Sequence, residues 1–160
     1  MDNISLKRTT SMDPDFRILI KELDADLRGK YDEMMNMYDQ HNIIENIDTI
    51  VVAYNSDVPI GCGCFKVFDQ ETVEIKRMFV RNIGRGKGLS FKILNELHTW
   101  AAELGYRHTV LETGSKQTEA LGLYAKAGYK VIPAYEPYVD LPDSICFRKM
   151  LSGIDKWNKC

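Results

Sequence analysis

The 160-residue sequence lacks most of the features that mark a specialised class. No apolar run approaches the ~20 residues needed to cross a bilayer. The first ten residues hold no apolar stretch of a secretory signal. A cytoplasmic protein with no membrane partner is therefore expected. Neither sign of charge dominates: 21 Lys and Arg against 23 Asp and Glu give a net charge of −2. A general nucleic-acid coat would show a basic excess, so no nucleic-acid partner is expected. Metal-ligand spacing is also missing. Cys62 and Cys64 are one residue apart, Cys146 and Cys160 stand alone, and His41, His98 and His108 are scattered. No metal is expected, and the cysteines read as reduced, mostly buried thiols. There is no repeat, low-complexity tract or Pro/Gly-rich linker. What remains is 44% hydrophobic and 28% charged, the balance of a soluble globule. At this length one domain spanning 1–160 is expected, large enough to need no disulfide or metal staple.

The near-neutral total hides a polarity. Lys21 to Asp48 carries eight acidic and three basic residues, whereas Lys76 to Lys92 carries six basic and none acidic. An anionic ligand for the second segment and a cationic one for the first would fit, although two solvated faces would look the same.

Periodicity predicts an alternation of strands and helices. Ile4–Thr10 reads as a strand, and Asp13-Pro14 as an N-cap followed by the first helical position. Phe16, Leu19, Ile20, Leu23 and Leu27 follow at helical spacing. A second helix is expected over Tyr31–His41. Thr49–Tyr54 and Val58–Phe68 form a hairpin around Asn55-Ser56-Asp57, and Glu71–Val80 is a further strand. Leu89, Ile93, Leu94, Leu97, Trp100, Ala101 and Leu104 mark one helix face, ended by Gly105. His108–Glu112, a short helix over Glu119–Ala127 capped by Gly128, and strands at Tyr129–Ala134 and Ile145–Met150 complete the chain. The fold class is α/β (α+β): a central mixed, mostly antiparallel sheet of about seven strands flanked by helices.

The unit that carries chemistry is strand, then Arg85-Gly86-Lys87-Gly88-Leu89-Ser90, then helix. Glycines permit a tight turn and close approach of a ligand to the backbone. The free amides and dipole of the following helix favour an anion, and Arg85 and Lys87 add charge. A nucleoside-triphosphate loop would need glycine where Arg81 stands, and a dinucleotide fingerprint would need it at Leu89 or Phe91. Neither fits.

The segment resembles the acetyl-CoA loop of the GNAT N-acetyltransferase family: Arg or Gln, two residues, Gly, one residue, Gly or Ala. Ser90 stands where Gly or Ala is usual. Val73–Val80 is similar to the family's central strand, and Ile60-Gly-Cys-Gly63 to the start of its third strand. Leu111–Tyr129 is similar to the stretch where a strand ends at an amide side chain and a helix delivers a Leu-Tyr pair before a Gly-aromatic pair. The element order agrees from about residue 4 to 150.

The resemblance implies the GNAT acyl-CoA N-acyltransferase fold, acetyl-CoA as acyl donor and a primary amine as acceptor. It implies that Met78, Phe79 and Val80 lie on a bulged strand whose freed backbone holds the pantetheine arm. The Met78 and Phe79 amides would polarise the thioester oxygen. Arg85, Gly86, Lys87, Gly88, Leu89 and Ser90 would cradle the phosphates. Gln117, in the family's Asn position, would reach the pantetheine arm, and Lys126 a phosphate. Tyr124 would protonate the leaving thiolate. A regular buried strand would equally suit Val73, Ile75, Phe79 and Val80, and core packing would suit Tyr124.

Glu74 is the candidate general base, because an alkylammonium of pKa about 10.4 must lose a proton before it attacks. A structural ion pair with Lys76 is the alternative, and Glu112 and Glu119 are rivals. Tyr135 and Tyr138 are candidates for covering the stem of the amine. An enzyme and a non-catalytic acyl-CoA-sensing module of the same fold share the loop. The presence of Glu74 and Tyr124 favours the enzyme. A monomer or homodimer is compatible with the sequence.

Overall fold

The computed structural model describes residues 3–30 and 46–151. The elements run β1 (Ile4–Thr9), α1 (Pro14–Lys30), β2 (Ile50–Asn55), β3 (Val58–Val67), β4 (Thr72–Val80), α2 (Leu89–Glu103), β5 (His108–Gly114), α3 (Thr118–Lys126), β6 (Lys130–Ile132) and β7 (Ser144–Met150). The helix expected over Tyr31–His41 lies outside the described residues, as does Cys160. Seven strands form one sheet in the order β1-β2-β3-β4-β5-β7-β6. The β4–β5 pair is parallel, while β1–β2, β2–β3, β5–β7 and β6–β7 are antiparallel, which is the expected mixed sheet. No helix among the described residues is long and apolar enough to cross a membrane.

The described residues fall into two compact units. One runs to Cys64 and includes Arg77–Leu94; the other holds Phe65–Lys76 and everything from Asn95 onward. In the first, α1 begins where the Asp13-Pro14 signal places it. Asp13 Oδ1 accepts the Asp15 amide at 2.8 Å, satisfying one of the helix's orphan donors. Its other oxygen accepts the Thr9 hydroxyl and pairs with Lys7 at 2.8 Å. Burial alone would raise this carboxyl, but the hydrogen bonds outweigh it and hold Asp13 below the ordinary carboxylate range. Phe16, Leu19, Ile20 and Leu23 then pack on Ile50, Val52, Cys62, Cys64 and Phe79. Burying those four helix side chains is worth about 6–12 kcal/mol before entropy is counted. Strand β2 is buried at Ile50, Val51, Val52 and Ala53 alike, so both of its faces are covered.

In the second unit, Phe65 meets Trp100 and Tyr106 edge-on, and Tyr124 meets Tyr129 and Phe147. Leu97 and Ala101 are buried as expected, but Leu104 is 55% exposed. The helix stops at Glu103, and Leu104 sits in the turn that Gly105 closes at φ +96°, so it no longer follows the helical face. Strand β6 is only three residues long because Pro133 lacks the N–H needed to extend its ladder with β7. Burial and the nearby Lys149 push His98 down to about 4 from an ordinary 6.5. Its Nε2 stands 2.7 Å from the Tyr129 hydroxyl, which in turn accepts from Thr109. The Tyr129 proton therefore goes to His98 Nε2, which must be unprotonated to accept it.

Because the folded pKa is depressed, this network stabilises the protein fully above pH 6.5 and loses that contribution as pH falls toward 4. The loss should amount to about 3 kcal/mol. Chemical denaturation of wild type and His98→Gln across pH 7 to 4 checks this. The variant, whose amide oxygen can accept the same proton, should show the shallower decline.

Candidate active site

Strand β4 is not regular. Its parallel ladder to β5 runs from Thr72↔His108 to Ile75↔Leu111. Two residues later Arg77 adopts φ +59°, a left-handed conformation uncommon for any non-glycine residue. The sequence resemblance implies a bulge on this strand; what the structure shows is the left-handed residue at Arg77, one position before Met78. The Arg77 guanidinium donates to Asp24 on α1 at 2.7 Å, and its carbonyl accepts the Cys62 thiol at 3.5 Å. Met78 follows half-buried, and Phe79 and Val80 are buried. Gly61 on β3 lies so close that a Cβ there would stand 3.0 Å from the Phe79 carbonyl oxygen. At the end of the strand, Arg81 grips Glu22 through two nitrogens at 2.8 and 2.6 Å and also reaches the Pro59 carbonyl.

A single turn of 3-10 helix, Asn82–Gly84, leads into the glycine loop. Gly86 and Gly88 both have positive φ, +77° and +74°, and neither has an atom within 4 Å of where a Cβ would stand. Their requirement is conformational, and the space above them is open to a ligand. Leu89 opens α2, and Lys92 closes its first turn onto the Gly88 carbonyl. No acidic residue lies in that turn to compete for an anion. Lys87 is exposed and Ser90 half-buried. Arg85, a candidate for the phosphates, donates Nε to the Val80 carbonyl at 2.9 Å.

In the second unit, a polar cluster surrounds the first half of β4. Glu74 is 4% exposed and accepts the Tyr135 hydroxyl at 2.8 Å. Glu112 on β5 accepts the Ser144 hydroxyl at 2.6 Å. Burial raises Glu112, with the Glu74 charge adding to it, while Ser144 and Lys76 oppose. Lys76 donates to the Tyr138 hydroxyl at 3.1 Å and stands 5.8 Å from its ring centroid. Tyr138 is only 2% exposed, so it belongs to the core and supports Lys76, whereas the sequence suggested a surface against an acceptor. Tyr135 is half-buried and is packed edge-on by Phe68 and Tyr138. Burial and the Glu74 charge push its phenol up, so it remains a proton donor to that carboxylate. Glu119 is exposed in the first turn of α3, outside this cluster. Sequence reading missed Ser144, whose small polar side chain in a strand carries no signal.

Tyr124 is the buried residue of α3. Burial, with Glu112 adding to it, raises its pKa, so the hydroxyl keeps its proton. Gln117 is the N-cap residue of α3 without a capping side-chain bond, and Lys126 is exposed in its last turn. Cys62, Cys64 and Cys146 are buried and form no disulfide. No group of metal-ligating side chains occurs among the described residues.

Residues 16–129 match the model of the acetyltransferase (GNAT) family. The chain belongs to that family. An IAA acetyltransferase of Azospirillum brasilense is 29% identical over 153 residues, covering 94% of this chain and 100% of that one. A Klebsiella pneumoniae structure assigned as an acyl-CoA N-acyltransferase superposes with a TM-score of 0.76 at 25% identity, over 92% of this chain and 97% of the other. A GNAT acetyltransferase of Elizabethkingia anophelis, solved with acetyl-CoA bound, shares the fold at a TM-score of 0.65 and 23% identity, over 94% and 100% of the two chains. The protein is thus a GNAT acyltransferase. The family match includes Glu74, the kink, the loop and Tyr124, and ends before Tyr135 and Tyr138.

The open space over Gly86 makes a sharp prediction. Gly86→Val should leave a folded protein, destabilised by about 1–2 kcal/mol for a left-handed side chain, yet abolish coenzyme A binding in calorimetry. Unchanged affinity would remove the loop from the site.

Proposed function

We propose that this GNAT protein transfers an acetyl group from acetyl-CoA to a primary amine of a small molecule, peptide or protein by direct attack on the thioester. The support is the strand–loop–helix unit: a kinked β4 followed by two left-handed glycines with nothing above them and a helix start with no acidic residue in its first turn. A phosphate needs such an approach, which a Cβ at either glycine would obstruct. The residues present therefore fit the donor.

Acetyl-CoA supplies an activated acyl group. The chain's own groups do the rest. Amides of Gly86–Ser90 and the charge of Lys87 hold the phosphates, with Arg85 joining once it leaves the Val80 carbonyl and Lys126 adding charge. Gln117 hydrogen-bonds the pantetheine arm together with the backbone of Met78, Phe79 and Val80. The Met78 and Phe79 amides face the thioester oxygen and favour its developing negative charge. Glu74 accepts the proton of the ammonium, directly or through water, and Tyr135 orients it. Glu112, raised by burial, is the second carboxylate available to that proton. Tyr124, kept protonated by burial, donates to the departing thiolate. Tyr135 also presents a ring edge to the stem of the acceptor, and the acidic Lys21–Asp48 segment attracts its charge. The setting is cytoplasmic.

Thiol release from acetyl-CoA, measured against polyamines, amino acids, aminoglycosides and peptides, tests the reading. Turnover with at least one amine is expected. Coenzyme A binding with silence across the panel would identify an acyl-CoA sensor instead. Glu74→Gln should lower kcat/KM about 100-fold at pH 7 and recover about tenfold per pH unit toward pH 9–10, as the free amine becomes populated. Full activity with a flat pH response would exclude Glu74 as base. Tyr124→Phe should slow transfer at unchanged acetyl-CoA affinity.

A further inference from the structure

Arg77 is the one described non-glycine residue with positive φ inside a strand. Such outliers persist only where the surroundings over-determine them. Here both ends of the residue are held. Its side chain is 9% exposed, and the guanidinium is paired with Asp24 of α1 at 2.7 Å. Its carbonyl receives the thiol of Cys62 on β3. Burial pushes that thiol up, so the S–H donor persists at every ordinary pH. Glu22, two residues earlier on α1, pairs with Arg81 just after β4, a second tie between this helix and the end of the strand. A strand interior ordinarily has no use for a left-handed arginine. The residue immediately after it, Met78, begins the backbone run assigned to the donor.

We propose that the Asp24–Arg77 ion pair is a positioning device: α1 uses it to hold β4 kinked, and thereby presents the Met78–Val80 backbone to acetyl-CoA. The inference rests on the acetyltransferase reading above and adds to it the residue pair that shapes the donor site. It makes α1, which contributes no atom to the assigned donor contacts, a determinant of donor affinity. Glycine would adopt the same conformation without help. The role therefore divides cleanly between side chain and backbone.

The test compares wild type, Asp24→Asn, Arg77→Ala and Arg77→Gly by acetyl-CoA calorimetry, steady-state kinetics and melting temperature. Arg77→Ala should weaken acetyl-CoA binding roughly tenfold, the factor that an ordinary left-handed penalty corresponds to. Asp24→Asn should weaken it in the same direction, with KM for the acceptor unchanged in both. Arg77→Gly should bind acetyl-CoA within about threefold of wild type, although it lacks the ion pair as completely as Arg77→Ala. Amide spectra of the free protein should show Met78 and Phe79 shifted in Asp24→Asn and Arg77→Ala. A merely structural pair would lower the melting temperature in all three variants and leave donor affinity alone, which would overturn the proposal. Arg77→Gly failing as badly as Arg77→Ala would overturn it too. Wild type that does not bind acetyl-CoA would bring down the acetyltransferase reading itself; wild type that binds, with indifferent variants, would bring down only the ion-pair role.

Discussion

A left-handed arginine in the middle of a strand is the constraint on which the first unit of this protein turns. Arg77 costs backbone energy, and the chain compensates with contacts from two directions: a carboxylate from α1 and a thiol from β3. Both supports depend on the core beneath them. Phe16, Leu19, Ile20 and Leu23 seat α1 on β2 and β3, and Cys62 and Cys64 are part of that same packing. The glycine loop extends the logic. After the kink the chain has two more positive-φ residues before α2, and both are glycine, which adopts that conformation without steric cost. The left-handed arginine is held through its side chain and its carbonyl, whereas the two left-handed glycines have open space above them.

The second unit gathers ionisable side chains around the first half of β4. Two carboxylates, Glu74 and Glu112, are placed within electrostatic reach of one another, and each is given a hydroxyl donor, Tyr135 and Ser144 respectively. Burial keeps the surrounding phenols protonated, so they act as donors and never as competing anions. Lys76, held by Tyr138, supplies a compensating positive charge. The proposed acid–base role draws on these phenols, which burial keeps protonated.

Much of this was legible in the sequence wherever one residue type has one physical use. Asp13-Pro14 marked a helix start, Gly105 and Gly128 marked helix ends, and the spacing of Gly86 and Gly88 excluded two phosphate-loop classes and left a third. The apolar face of α2 was readable because it repeats. Other features were not, because their cause is tertiary. An arginine gives no local warning of positive φ; its supports, Asp24 and Cys62, lie 53 and 15 residues away. Leu104 fits the helical repeat, but the helix ends one residue before it. Tyr138 resembles a loop aromatic poised for a ligand, yet Lys76, 62 residues distant, gives its hydroxyl a partner inside the core. Arg85 matched a phosphate ligand by type, while its position beside the end of β4 gives it the Val80 carbonyl.

The central claim is that the kinked end of β4 and the glycine loop after it together receive acetyl-CoA. Titrating the labelled protein with acetyl-CoA while following backbone amide resonances measures this directly. The account predicts the largest shifts at Met78–Val80 and Gly86–Ser90, saturating together at one affinity. Saturable binding that leaves both segments unmoved, or that moves the loop without the strand, would contradict it.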